Sequence, residues 1–237
     1  SFSIVDILDY LYGNILKISK KNPNSINRDF FYLSKGHASA ALFVVLNKYK
    51  FLSDEDLFTY GNLNSKLGGH PDMTKIDFVE ASTGSLGHGF PTAIGTALGL
   101  KIKNLKNKVF VLIGDGECHE GTIWESANIA ANNKLNNICA IIDWNKSASQ
   151  LMPLENLKKK WQAFGWQVLS MNGHSQKSFK ENFDKFKTYN GKNPTVIIAN
   201  TTKGKGAKLI EGHGIWHHKI PNEEEYKIIL NQLNKNE

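Results

Sequence analysis

The sequence predicts an α/β fold, a doubly wound parallel sheet with helices on both faces. Three observations predict it. The runs Val109-Phe110-Val111-Leu112-Ile113 and Ile138-Cys139-Ala140-Ile141-Ile142 are unbroken, apolar and rich in β-branched residues, as strands buried on both faces require. Between them, Thr122 and Glu125 have capping-box spacing ahead of a helical stretch over 126–131, so the three segments read as one βαβ unit. A right-handed crossover then brings the loops that end both strands to one edge of the sheet, where open α/β sheets bind ligands.

The other elements follow in order. Residues 1–12 carry apolar side chains at helical spacing, with Ser3 and Asp6 as cap candidates. Residues 38–48 read as a second helix, which puts His37 at a helix N-terminus beside Gly36. Residues 91–100 begin with Pro and continue with small residues, a helix suited to close packing. Residues 168–170 and 195–199 read as further strands, separated by a helical pattern over 178–189. Asn222 and the glutamates after it start a last helix with a capping pair.

The 237 residues are enough for one large α/β domain, and no linker or repeat divides residues 1–237. No run of apolar residues is long enough for a membrane span and no secretory pattern opens the sequence, so the cytoplasm is the expected location. The two cysteines, Cys118 and Cys139, read as buried thiols. The net charge of +7 comes from scattered lysines without a nucleic-acid motif, so a solvated basic surface is expected and not a nucleic-acid partner.

The chemistry concentrates at Gly114-Asp115-Gly116-Glu117, just past the first buried run, and at Asn145, just past the second. A carboxylate and an amide carbonyl are hard oxygen donors suited to Mg²⁺ or Ca²⁺, and they are too few to fill six coordination sites without phosphate or water. The glycines flanking Asp115 let backbone N–H groups approach phosphate oxygens ahead of a helix N-terminus.

At these residues the chain resembles the thiamine diphosphate enzymes, which carry GDG and then Asn about thirty residues on. Within that group it resembles the amino-terminal half of the transketolase family. Ordered motifs along nearly the whole chain carry the resemblance: Arg28 to Ala38 with Ser34-Lys35-Gly36-His37, Gly69-His70-Pro71, Ser82 to Gly87, Gly114 to Gly121, Trp161 to Trp166, and Lys203-Gly204-Lys205-Gly206.

The resemblance implies that Asp115, Asn145 and the backbone carbonyl of Ser147 bind the metal. It implies that His37, Gly84, Leu86, Gly114, Asp115, Gly116, Glu117 and Asn145 contact the cofactor. It further implies that His70 and His37, with His213 or His217 from the late histidine segment, serve the reaction. Glu120 and Glu125 resemble an acidic pair that faces its counterpart across a dimer axis. A Ser-Gly-His segment is expected just ahead of Ser1. Position 88 and position 119 are His where the family commonly has Gln, and the loop over 145–153 is shorter than usual and lacks an Asp-Gly turn.

The family binds thiamine diphosphate between two domains, and the pyrimidine-binding domain supplies a Glu. The expected partner is therefore a separately encoded pyrimidine-domain subunit, in an α₂β₂ assembly. The expected function is transfer of a two-carbon ketol unit from a ketose (phosphate) to an aldose. Two other readings fit the same residues: another thiamine diphosphate-dependent C–C bond-forming enzyme, deoxyxylulose-phosphate synthase-like or acyloin-forming, and a catalytically silent cofactor-binding subunit.

Overall fold

The fold starts with α1 (Val5–Tyr10), β1 (Phe30–Leu33), α2 (Ser39–Lys48) and the short α3 (Asp54–Phe58). It continues through α4 (Gly89–Ile102), β2 (Val109–Gly114), α5 (Gly121–Asn132), β3 (Ile138–Trp144), α6 (Leu157–Ala163), β4 (Gln167–Asn172), α7 (Gln176–Thr188), β5 (Thr195–Asn200) and α8 (Glu223–Asn234). The computed structural model describes residues 1–23, 25–212, 215–217 and 219–235, the side chains of Gln150 and His217 excepted.

Among the described residues the strands form one parallel sheet of five in the order β1-β2-β3-β5-β4. Side chains of a strand alternate between faces, and here both faces are dry. Phe110, Leu112, Cys139 and Ile141 enter one core with α1, α2 and α7. Val109, Val111, Ile113, Ala140 and Ile142 enter the other with α4, α5 and α6. That double burial explains why these strands read as continuous apolar runs.

The helix placement follows from chirality. The connections β2→β3 and β3→β4 run outward across the sheet with α5 and α6 on one face, whereas β4→β5 runs back with α7 on the other. A crossover of fixed hand must change faces when its direction reverses.

Three local expectations need revision. Residues 1–12 form α1 flanked by a 3₁₀ turn (Phe2–Ile4) and a π turn (Leu11–Ile15), and Ser3 makes no cap; its hydroxyl donates to Asp143 Oδ2 at 2.8 Å. The Thr122/Glu125 box does not form. The helix starts at Gly121 with Glu120 as N-cap, and the Thr122 hydroxyl donates to the Gly87 carbonyl at 2.8 Å. In both places a polar partner from a distant segment replaces the local one. The helix expected over 91–100 begins earlier, at Gly89, and Pro91 still lies in its first turn, where a missing N–H breaks no ladder bond. At α8 the box forms as expected between Asn222 and Glu225. Cys118 and Cys139 are free and buried. No described helix is long and apolar enough to cross a membrane.

Candidate active site

Because all five strands run the same way, the segments after Leu33, Gly114, Trp144, Asn172 and Asn200 leave one edge of the sheet. The loops after β2 and β3 touch there. A Cβ on Gly116 would stand 3.3 Å from the Ala148 Cβ, so the expected meeting of the Asp115 loop with the Asn145–Ser147 loop is present.

Asp115 is buried, and its two oxygens differ. Oδ1 accepts the Gly116 N–H at 2.8 Å, whereas Oδ2 is buried with no hydrogen-bond partner. Leaving a carboxylate oxygen unpaired away from water is costly, and a cation is the partner that removes the cost. Asn145 Nδ2 donates to Asp143 Oδ2 at 2.9 Å, and Asn145 Oδ1 accepts the Ser147 N–H at 2.9 Å in an Asx turn that carries Lys146 at φ +62°. The turn's side-chain carbonyl keeps a second lone pair. Asp115 Oδ2 and Asn145 Oδ1 are hard oxygen donors of the kind that suits Mg²⁺ or Ca²⁺, on two loops that touch. Among the described residues no cluster of three or more His, Cys, Asp or Glu offers a rival metal site.

Behind these loops lies a buried charge pair that the sequence did not announce. Lys35 Nζ donates to Asp143 Oδ2 at 2.6 Å with Asp143 fully buried, and the Thr201 hydroxyl donates to Asp143 Oδ1. Burial pushes the Asp143 carboxyl up, but Lys35, Thr201 and Ser3 outweigh it and hold the group below the usual carboxylate range. Lys203 Nζ donates to Ser147 Oγ at 2.8 Å, and burial followed by repulsion from Lys35 lowers its pKa. Two ammonium groups therefore stand beside the loops after β2 and β3.

Glu117 is placed where sequence reasoning did not put it. Its carboxylate turns inward, accepting from the Ser34 hydroxyl, the Gly87 N–H (2.9 Å) and the Gly114 N–H (3.1 Å). Burial raises its pKa. Through these bonds the side chain ties three site loops together. Gly87, at φ +79°, is required there, since a Cβ would stand 2.4 Å from Thr122 Oγ1.

The histidine side is assembled by backbone approach. A Cβ on Gly36 would stand 2.6 Å from the Thr83 carbonyl carbon, and one on Gly84 would stand 3.0 Å from the His70 ring. Thr83 Oγ1 donates to the Leu33 carbonyl at 2.7 Å. The segments carrying His37, His70, Gly84 and Leu86 are thereby brought together, with both imidazoles exposed and Leu86 half-buried. His217 ends a 3₁₀ turn, Ile215–His217, and its side chain lies outside the described residues, as does all of His213. Glu120 and Glu125 are exposed.

His174 is a further residue that sequence reasoning missed. Its Nε2 accepts the Thr202 N–H at 2.8 Å and its Nδ1 faces Asp6 Oδ2 at 2.6 Å, which links α1 to the loop after β5. A signal for Asp143 did exist: an acidic residue directly after five buried apolar positions requires a partner. A separate cavity of about 400 Å³ beside α5, lined by Asn128, Asn132, Phe164 and Asn193 among others, contains no ionisable side chain.

The family model described as "Transketolase, thiamine diphosphate binding domain" matches residues 1–235. An apulose-4-phosphate transketolase subunit from Phocaeicola vulgatus is 37% identical over 238 residues, covering 98% of this chain and 84% of that protein. The 6-deoxy-6-sulfo-D-fructose transketolase subunit SqwG of a Clostridium species is 38% identical over 240 residues, covering 99% and 87%. The solved transketolase of Campylobacter jejuni superposes with a TM-score of 0.86 at 35% identity over 98% of this chain, which spans only 37% of that longer protein.

Proposed function

The chain belongs to the transketolase family, and from that premise we propose that it is the diphosphate-binding subunit of a two-subunit transketolase. It would move a two-carbon ketol unit from a ketose (phosphate) to an aldose. One observation carries the reading at the level of residues: the partnerless buried oxygen of Asp115 beside the Asn145–Ser147 turn. At the level of the whole chain it is supported by relatives that are themselves named as transketolase subunits and are matched over most of their own length.

In this reading Asp115, Asn145 and the Ser147 carbonyl hold Mg²⁺ (or Ca²⁺). Gly114 and Gly116 allow close backbone approach to the diphosphate, and His37 reaches it from the β1 side. Gly84 and Leu86 flank the organic part of the cofactor, and Glu117 holds Gly87 and Gly114 in place beneath it. Thiamine diphosphate, when bound, supplies the carbanion chemistry. The protein orients it and moves protons. His70, an exposed imidazole against Gly84, is suited to carrying a proton to and from substrate hydroxyls near neutral pH. His213 or His217 is proposed for the same task from the late segment.

A pyrimidine-domain subunit would close the open histidine side in an α₂β₂ assembly, with the exposed Glu120 and Glu125 at the symmetric contact. The free thiols Cys118 and Cys139 suit a reducing cytoplasm. The relatives described above are named for sugars bearing a phosphate or a sulfo group, so anionic ketoses are the first substrates to test. The test measures ketol transfer by the full-length protein alone and mixed with its co-encoded partner. Turnover in the mixture only supports the reading; full turnover by the chain alone, or none in the mixture across many sugar pairs, rejects it.

A further inference from the structure

A carboxamide has two chemically opposite ends of nearly equal size. In Asn145 the oxygen attracts a cation and the NH₂ repels it, so hydrogen bonds must decide which end faces the site. Two bonds bear on the choice. The Ser147 N–H bond to Oδ1 belongs to the local turn, and turning the amide over would forfeit it. The bond from Nδ2 to Asp143 Oδ2 is the stronger discriminator, because a flipped amide would press its oxygen against a fully buried carboxylate. Asp143 cannot turn away to relieve that contact, since Ser3, Lys35 and Thr201 each donate to it.

We propose that Asp143 is a positioning residue that fixes the Asn145 carboxamide with its oxygen toward the cation site beside Asp115. Hydrogen bonds behind a metal ligand orient it and tune affinity in many metal sites. The proposal rests on Asp115 and Asn145 being the cation ligands.

The test is a calorimetric titration of Mg²⁺ into the protein reconstituted with its co-encoded partner at saturating thiamine diphosphate, with a thermal melt of each variant. Lys35→Met removes the buried cation but keeps the Asp143 acceptor. Lys35→Met should bind Mg²⁺ close to the parent. Lys35→Met/Asp143→Asn replaces the acceptor-only carboxylate with a carboxamide that can also donate to a flipped Asn145, so it should bind Mg²⁺ more weakly than Lys35→Met. Lys35→Met/Asp143→Leu fills the space with apolar groups, a replacement that is often neutral for stability, and leaves Asn145 free to flip. It should melt somewhat below the parent, because Ser3 and Thr201 lose their acceptor, and bind Mg²⁺ about 10–100-fold more weakly than Lys35→Met, which controls for loss of the ammonium.

Parent-like affinity in the leucine variant, or equal loss in all three, overturns the proposal. Should the leucine variant not fold, the other two decide: parent-like binding in Lys35→Met with weaker binding in Lys35→Met/Asp143→Asn upholds it, and equal affinity in the two overturns it. Asp115→Ala, titrated alongside, separates the two levels, because unchanged Mg²⁺ binding there means that the cation site itself is misplaced.

Discussion

At the loops after β2 and β3 the charged groups are buried and bonded across the sheet. Asp143 takes donors from the segments after β1 and β5 and from the first turn of the chain, and Glu117 takes them from two other loops and from the end of β2. On the neighbouring side, His37 and His70 are exposed, and glycine contacts position their segments. The contrast is physical. Holding a diphosphate and its cation needs donors and charges fixed in advance in a place poor in water, whereas a group that meets changing sugars must remain reachable until a second surface covers it.

The contrast can be broken experimentally, and the largest effect is expected in the buried half. Asp143→Ala strands Lys35 without a partner, so stability measured by urea unfolding should fall by about 3–5 kcal/mol. A loss no greater than that of an exposed substitution would mean that the pair is hydrated. On the histidine side the effect should move to turnover. His70→Ala should lower kcat by about 10²–10⁴, as for an acid–base group, while calorimetry shows cofactor affinity close to the parent and the melt is unchanged. A cofactor affinity lost in step with kcat would instead make His70 a binding residue. Gly36→Ala probes the seam between the halves, where a methyl would meet the Thr83 backbone. A cost of about 1–3 kcal/mol is expected, as for other overpacked sites, and a neutral result would show that the seam is loose.

The sequence discloses these halves unequally. β2, β3 and β5 are visible because burial on both faces leaves no polar interruption, and the meeting of the loops after β2 and β3 follows from the βαβ unit alone. β1 escaped notice as a strand because it has only four residues within a motif read for its chemistry. The hydroxyls of Ser3 and Thr122 match capping patterns, yet their partners are Asp143 and Gly87, 140 and 35 residues away. The Lys35–Asp143 pair spans 108 residues, a distance at which no local pattern operates. The inward turn of Glu117 was hidden for the same reason, because two of its donors, Ser34 and Gly87, sit on loops that only the folded sheet edge collects.

The central claim is that Asp115 holds a cation on the cofactor, and its unpaired oxygen permits a test with two independent readouts. Thiamine diphosphate is titrated with and without Mg²⁺ into the parent and into Asp115→Ala, each reconstituted with the co-encoded partner, and both are melted without ligand. Removal of a metal ligand should weaken Mg²⁺-dependent binding by more than the ~100-fold seen for outer hydrogen-bond partners. The ligand-free melting temperature should change little, because losing the Gly116 N–H bond to Oδ1 is offset by removing the unpaired, buried Oδ2. Undiminished Mg²⁺-dependent affinity in the variant, or lost binding explained by a collapsed melt, would contradict the account.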